Sequence, residues 1–519
     1  MRELNVSMSS SGNGDGGTEL FFHAYRYFPY EKELARREVQ SVTGVSNIVE
    51  TPDCFRLAEP VDAEKLRSLT YVAEVITGKD HFVTFQYELE QSHRRAAGIG
   101  KRQATRYSVH GLHEYKGRFN PQVARFLLNY LGATKRTLVL DPFCGSGTTL
   151  VEAALRSIRA VGIDMNPLAA FLCNAKLCAL STPAGEIEAA FESCLRLAKR
   201  APVRFLKLGS LPNRRMAYLQ NWFPSESLAI LELLRSKIGS QPPGVRSVLL
   251  SLVSDLLRDY SLQEPSDLRI RRRFAAFPTV PLLDAFEEKA RSFICSLSAA
   301  QSISGLKRIR SKAIVGDSRN FLDSVKRNVL RSKCDLVITS PPYATALPYI
   351  DTQRLSLVWL GLCSPNQIRE LEGDALGSRE LNGTSIDWKR RAHDNSDSLP
   401  STVASFCQEL QSSITSDDGF RRQAVPALIY RYFADMKRVF ASLRTVLKEG
   451  ALLAFLVGAN RTTLGGEYFE IDTPSFIALV AGQLGFHTRE VIPLQTYHRY
   501  GLHQKNSIEN ERLTIFQRS

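Results

Sequence analysis

The spacing of apolar positions changes several times along the chain. Between residues 21 and 92, FFHAYRYFPYEKELARREVQSVTG, FRLAEP, VAEVIT and FVTFQYEL alternate helix-like and strand-like spacing, which predicts a small amino-terminal α/β domain. Residues 1–20 are rich in Ser and Gly, lack the apolar centre of a secretory signal, and read as a disordered leader. The basic stretch HRRAAGIGKRQATRY makes residues 93–109 a linker. A second α/β block opens at residue 110, and residues 110–180 hold two short apolar runs, TLVLD and RAVGID, each leading into a helical pattern. Residues 181–310 keep helical spacing, as in SESLAILELLRSKIG and PLLDAFEEKARSFICSLSAA, and predict a helical insertion. Strand patterns return in residues 311–519 with KAIVGD, CDLVITS and ALLAFLVG. They are interrupted by a polar insertion, residues 363–424, whose least ordered part is SRELNGTSIDWKRRAHDNSDSLPS. Strands alternating with helices predict a Rossmann-like, doubly wound, mostly parallel sheet. No apolar run approaches the ~18 residues of a membrane span.

Two of the predicted strands end in unusual loops. TLVLD ends at Asp141 and runs into PFCGSGT, with a helix expected from Thr148. Gly145 and Gly147 let the backbone turn tightly and let a ligand approach it closely. The following strand ends in Asp164, about 20 residues beyond the first glycine, where an acidic side chain meets ribose hydroxyls in dinucleotide-type sites. A G-x-G-x-x-G fingerprint needs glycine at 150; Leu150 stands there, which disfavours NAD. The loop therefore reads as a nucleoside site.

The other loop is Ser340-Pro341-Pro342-Tyr343, after CDLVIT. Its prolines hold φ at about −65° and donate no hydrogen bonds, so the loop is rigid and can aim a backbone carbonyl together with the Ser340 side chain. Tyr343 offers a flat face to an extruded base. An exocyclic base amine is a poor nucleophile because its lone pair is conjugated into the ring. Acceptors on its hydrogens can hold it in line with an electrophilic methyl group, with no covalent intermediate.

DPFCGSGTT followed by GIDMNP resembles the cofactor motif of S-adenosylmethionine-dependent methyltransferases that modify amino groups of nucleic-acid bases, the DNA cytosine-N4 and adenine-N6 enzymes. The resemblance implies the class I methyltransferase fold and S-adenosylmethionine as cofactor. It implies that Asp141, Pro142, Phe143, Gly145, Gly147 and Thr148 surround the methionine moiety, that Asp164 holds the ribose, and that Asp317 and Ser318 in AIVGDSRNF read the adenine. HEYKGRFNPQVARFLLNYLG is similar to the family segment that closes the methionine pocket, through Lys116, Gly117, Phe119 and Pro121. In this family Ser-Pro-Pro-Tyr is typical of cytosine-N4 enzymes, whereas Asp or Asn before Pro-Pro is commoner for adenine-N6 and guanine-N2 methylation. Cytosine-C5 methylation needs a cysteine after a proline; the chain has no Pro-Cys dipeptide, and Cys144 reads as a packing residue. Many cytosine-N4 enzymes place the catalytic block before the cofactor block. Here it follows, as in several RNA methyltransferases, and FFHAYRYFPYEKELARREVQSVTG resembles the leading domain of tRNA guanine-N2 methyltransferases.

The expectation is methylation of cytosine N4 in double-stranded DNA. The alternatives are RNA as substrate, adenine-N6 methylation, or a silent nucleic-acid-binding protein, and a restriction endonuclease is a candidate partner. The formal charge of +14 over 519 residues fits a polyanionic partner. Arg269, Arg271, Arg272 and Arg273, before Phe274, are the candidate nucleic-acid contacts, with Arg214 and Arg215 upstream. Trp388-Lys389-Arg390-Arg391 in the polar insertion is a second candidate, placed to form a lid, and His498 and His503 flank a turn near the carboxyl end. Nine cysteines without a Cys-x-x-C pair predict reduced thiols, no metal site and a cytoplasmic location.

Overall fold

The computed structural model describes residues 17–97, 102–201, 213–267, 270–306, 308–321, 332–344, 350–380, 385–495 and 510–519. Arg269, His498 and His503 lie outside the described residues. The first sheet is built from β1 (Thr18–Phe21), β2 (Val49–Glu50), β3 (Cys54–Leu57), β4 (Glu74–Thr77) and β5 (Asp80–Val83), in the order β2-β3-β1-β4-β5 and antiparallel throughout. Two boundaries differ from the sequence reading. β1 starts at Thr18, inside the expected leader, because Leu20 alternates into the core of this sheet. The expected linker is largely built in: helix Phe85–Ala97 runs into it, and Tyr107, Ser108 and Val109 are buried.

The second sheet contains β6 (Leu138–Asp141), β7 (Arg159–Asp164), β8 (Lys312–Val315), β9 (Cys334–Thr339), β10 (Leu447–Gly458), β13 (Phe486–Gln495) and β14 (Asn510–Arg518). β11 (Asn460–Leu464) and β12 (Glu467–Ile471) form a separate hairpin. The order is β13-β14-β10-β9-β6-β7-β8, and β14 alone runs antiparallel to its neighbours. This is the doubly wound, mostly parallel class I methyltransferase fold that the motifs imply. From β6 the chain winds outward through β7 to β8, then returns to the opposite side of β6 as β9. That reversal opens a crevice at the carboxyl ends of β6 and β9, where ligands bind in open α/β sheets.

Helices Ala184–Arg200, Arg214–Trp222, Ser225–Gly239, Pro243–Ser254 and Leu282–Ser304 lie between β7 and β8 in sequence, and Pro243–Ser254 packs on the core helix Pro167–Ser181. The polar insertion is more ordered than its composition suggests. Its helices Ser385–His393 and Ser401–Ser412 pack on helix Val425–Val446, and Arg431 of that helix reaches the Gly373 carbonyl of helix Ile368–Asp374 at 3.4 Å. Buried Arg431 donates to the carbonyls of Glu380 (2.7 Å) and Ser378 (3.1 Å), and the Tyr430 hydroxyl accepts the Asp397 amide at 2.9 Å. Guanidinium donors satisfy carbonyls here, while Leu399, Val403 and Leu410 bury their side chains in the core beside Tyr430 and Phe433.

The helix after the glycine loop, Thr148–Leu155, carries Glu152, which is fully buried. Its carboxylate accepts from Tyr107 Oη, His110 Nε2 and Arg125 Nε, each at 2.8 Å. Burial alone would raise its pKa, but Arg125 and His110 outweigh that and hold it at about 2. Burial pulls His110 down to about 4 despite Glu152 beside it.

Both groups predict acid sensitivity. Between their ordinary pKa values (6.5 and 4.5) and the folded values of about 4 and 2, the unfolded chain binds protons that the folded one refuses. We expect the melting temperature to fall progressively as pH drops below 6.5 and again below 4.5. Glu152→Gln should cost about 3–5 kcal/mol at neutral pH by leaving Arg125 buried and unpaired. Denaturant unfolding of the variant with wild-type stability would refute this.

Candidate active site

Four strand ends converge on the crevice. Asp141, buried at the end of β6, accepts Thr339 Oγ1 from the end of β9 at 2.7 Å and the amide of Phe143 at 3.1 Å. Burial pushes its pKa up to about 6 against these hydrogen bonds. Asp164, at the end of β7, accepts the Asn166 and Gly145 amides, each at 2.9 Å, and burial raises it too to about 6. The Ser318 hydroxyl, just past β8, donates to the Pro142 carbonyl. Asp317 grips Arg319 at 2.8 Å, and Arg319 passes on to Asp435 at 3.0 Å. Burial opposes ionisation of Asp317, but Arg319 holds its pKa below the ordinary value.

The two loop glycines do different work. Gly145 has φ +48°, and a Cβ there would stand 3.3 Å from the Tyr115 ring, so the upstream segment closes directly over the loop. Gly147 has φ +89°, but a Cβ there would lie 2.3 Å from Cys173 Sγ. Both its left-handed conformation, as the tight turn required, and its packing against Cys173 of helix Pro167–Ser181 demand glycine. Thr148 is buried at the start of the following helix, and Cys144 packs against Gly162. Beneath the loop, buried Lys176 donates to Ser146 O (3.0 Å) and Oγ (2.9 Å), and burial lowers its pKa to about 7.

Upstream, Asn120 caps helix Pro121–Tyr130, Phe119 is half-buried, and exposed Lys116 pairs with Glu114. Gly117 has φ +81°. A cavity of about 200 Å³ is lined by His110, Tyr115, Lys116, Gly117 and Arg118. The residues present fit an adenosine-bearing cofactor: a left-handed glycine turn lies beneath an aromatic ring, with carboxylates at adjacent strand ends to accept from hydroxyls.

The Ser340-Pro341-Pro342-Tyr343 loop leaves β9 beside this crevice, with Pro341 buried and the other three residues half-buried. Three contacts that the sequence reading missed hold it. The Tyr343 hydroxyl donates to Glu511 Oε1 on β14 at 2.6 Å, and Asn460 Nδ2 donates to the Ala344 carbonyl. Gly377 of the polar insertion, at φ +76°, backs the loop so closely that a Cβ would lie 2.5 Å from the Tyr343 carbonyl oxygen. No local pattern marks Glu511 or Gly377, whereas the hydroxyl of Thr339, immediately before the motif, was a signal available in the sequence.

Most of the expected nucleic-acid arginines are engaged within the protein. Arg272 donates to Asn221 O at 2.6 Å, and Arg273 donates to the carbonyls of Asp259, Ser261, Ala275 and Ala276. Arg271 pairs with Asp267 at 3.2 Å but stays 66% exposed. Arg215 is bound to Glu232 and to the Trp359 carbonyl, and Arg391 stacks on Trp388 at 4.3 Å.

Residues 112–199 match the family model described as RMKL-like, methyltransferase domain. The chain carries a methyltransferase domain. Its methyl donor is S-adenosylmethionine. Among curated proteins, it is 22% identical over 426 residues to the Type II methyltransferase M.BsoBI of Geobacillus stearothermophilus, covering 75% of this chain and 80% of that protein. It is 23% identical over 292 residues to M.MvaI of Kocuria varians (53% and 63% covered). A shorter match, 42% over 52 residues, is to a tRNA (guanine(10)-N2)-dimethyltransferase of Methanothermobacter thermautotrophicus (10% and 16% covered). These similarities and the motifs agree on an S-adenosylmethionine-dependent amino-methyltransferase of nucleic-acid bases. Among the described residues, no helix is long and apolar enough to cross a membrane.

Gly377→Ala should strain a left-handed backbone by about 1–3 kcal/mol and push on the Tyr343 carbonyl. We expect methyl transfer to fall while S-adenosylmethionine affinity, measured by calorimetry, stays unchanged. Wild-type turnover in this variant would show that the loop tolerates displacement.

Proposed function

We propose that this chain transfers a methyl group from S-adenosylmethionine to the exocyclic N4 amine of cytosine in double-stranded DNA. The observation that carries the reading is the Ser340-Pro341-Pro342-Tyr343 loop beside the glycine loop, joined to it through Thr339 and Asp141. Bound S-adenosylmethionine supplies the electrophilic methyl carbon and its sulfonium leaving group. Ser340 Oγ and the Pro341 carbonyl accept from the amine hydrogens, which aligns the nitrogen and favours its tetrahedral form. Tyr343 stacks on the extruded base, its ring held in place by Glu511. Asp164 holds the ribose, Asp317 and Ser318 meet the adenine, and the segment from Lys116 to Phe119 closes over the methionine. The Type II names of the relatives and the +14 charge support DNA as substrate and admit a restriction endonuclease partner. The match to a tRNA guanine-N2 enzyme favours RNA as the second reading.

Incubation with labelled S-adenosylmethionine and, separately, genomic DNA, tRNA and rRNA, followed by nucleoside analysis, should yield N4-methylcytosine from DNA. N6-methyladenine would correct the base, and N2-methylguanosine confined to tRNA would transfer the case to RNA. Tyr343→Ala should cost about 1–3 kcal/mol of base binding and depress methylation while leaving cofactor affinity intact. Cofactor loss in that variant would move Tyr343 out of the base pocket.

Asp164→Ala should weaken S-adenosylmethionine binding by about 1–3 kcal/mol. Because Asp164 takes up a proton at about pH 6, wild-type affinity should also fall as pH drops through that value. Calorimetry on the folded variant, with affinity unchanged, would remove Asp164 from the cofactor site.

A further inference from the structure

We propose that Glu264 and residues 270–277 of the helical insertion form a preorganised wedge that enters a DNA duplex, with Phe274 taking the stacking place of the extruded base. The inference rests on the base-methylation reading above and adds the element that opens the duplex.

Phe274 is 86% exposed, the most exposed large apolar side chain among the described residues. The loop beneath it is tightly built. The Glu264 carboxylate accepts the amides of Phe274 (2.9 Å) and Ala275 (3.1 Å) and the Ser266 hydroxyl (2.8 Å). These hydrogen bonds keep it ionised down to about pH 2. Arg273 turns inward and donates to four carbonyls, at Asp259 (2.8 Å), Ser261 (3.1 Å), Ala275 (2.9 Å) and Ala276 (2.7 Å). The backbone adds two rungs, Arg273 N to Leu262 O and Glu264 N to Arg271 O, each 2.9 Å. Arg272 lies over the Trp222 ring at 4.5 Å. The residues that could have packed Phe274 are thus committed inward, and Phe274 is left outside with Arg271.

The loop is also coupled to the catalytic side of the sheet. The Ile270 amide donates to Asp351 Oδ2 at 2.9 Å. Asp351 begins the turn Asp351–Gln353, which lies in sequence between Tyr343 and helix Arg354–Leu360. Rigidity and this tether distinguish the loop from an incidental apolar tip.

Extruding a base leaves a gap in the stack and costs a few kcal/mol of unstacking, which an inserted apolar side chain offsets. A side chain on an ordered loop is presented without further ordering entropy. Arg271, close to Phe274 in the chain and facing solvent, carries charge complementary to a flanking phosphate.

The test uses the full-length protein, Phe274→Ala and Phe274→Trp. Because Phe274 is exposed, Phe274→Ala should keep the wild-type melting temperature and S-adenosylmethionine affinity. Its single-turnover methylation of duplex genomic DNA should fall roughly 10–100-fold, the loss of part of the offset to unstacking. Phe274→Trp should retain activity, and its added emission should be quenched and shielded from acrylamide when duplex DNA binds. Wild-type rates in Phe274→Ala, an indole that acrylamide still reaches with duplex bound, or quenching by tRNA alone would each overturn the wedge. A wild-type protein that binds S-adenosylmethionine but methylates no DNA overturns the proposed function and the wedge together. An active wild type with an unaffected Phe274→Ala overturns the wedge alone.

Discussion

One buried carboxylate oxygen joins the two loops on which the chemistry depends. Asp141 Oδ1 accepts both the Phe143 amide, which starts the glycine loop, and the Thr339 hydroxyl, which immediately precedes the catalytic loop. It can do so because β6 and β9 are neighbours at the point where the sheet reverses its winding. A hydrogen bond in this water-poor position is stronger than one at the surface, and leaving it unmade costs more. The direction of one loop therefore constrains the direction of the other.

Around that junction, support comes from distant parts of the chain. Glu511 on the closing strand fixes the Tyr343 hydroxyl, Asn460 holds the following carbonyl, and Gly377 bears on the loop from the polar insertion. Glu152 ties Tyr107, His110 and Arg125 to the helix that follows the glycine loop. The amino-terminal sheet is bound into the same body. On the helix that accompanies it, Pro29–Thr43, Glu38 accepts from Asn129 at 2.5 Å, and Arg37 shares Glu490 on β13 with Tyr130. These are polar links between buried or half-buried groups, and they specify geometry as well as adding stability.

The arginines show why charge counts mislead about surfaces. Arg215, Arg273, Arg319 and Arg431 all contribute to the formal charge, yet each directs its guanidinium to internal carbonyls or carboxylates. A planar group with five donors suits loops that lack ladder hydrogen bonds. Arg273 does this beside Arg271, which faces solvent, and nothing in the residue types separates the two.

The sequence by itself determined the winding of the sheet, the glycine turn at Gly145, the strand-end acids Asp141 and Asp164, and the Ser-Pro-Pro-Tyr loop. Each is a local statement: apolar period, backbone permissiveness, or a rigid dipeptide set next to a strand. Only the tertiary structure decided that β9 lies beside β6, that Glu511 and Gly377 serve Tyr343, and that Gly147 answers to Cys173. It also decided that the described residues of the polar insertion are packed rather than loose. Those outcomes depend on contacts between residues far apart in the chain, and such contacts leave no periodicity or spacing for a local reading to detect.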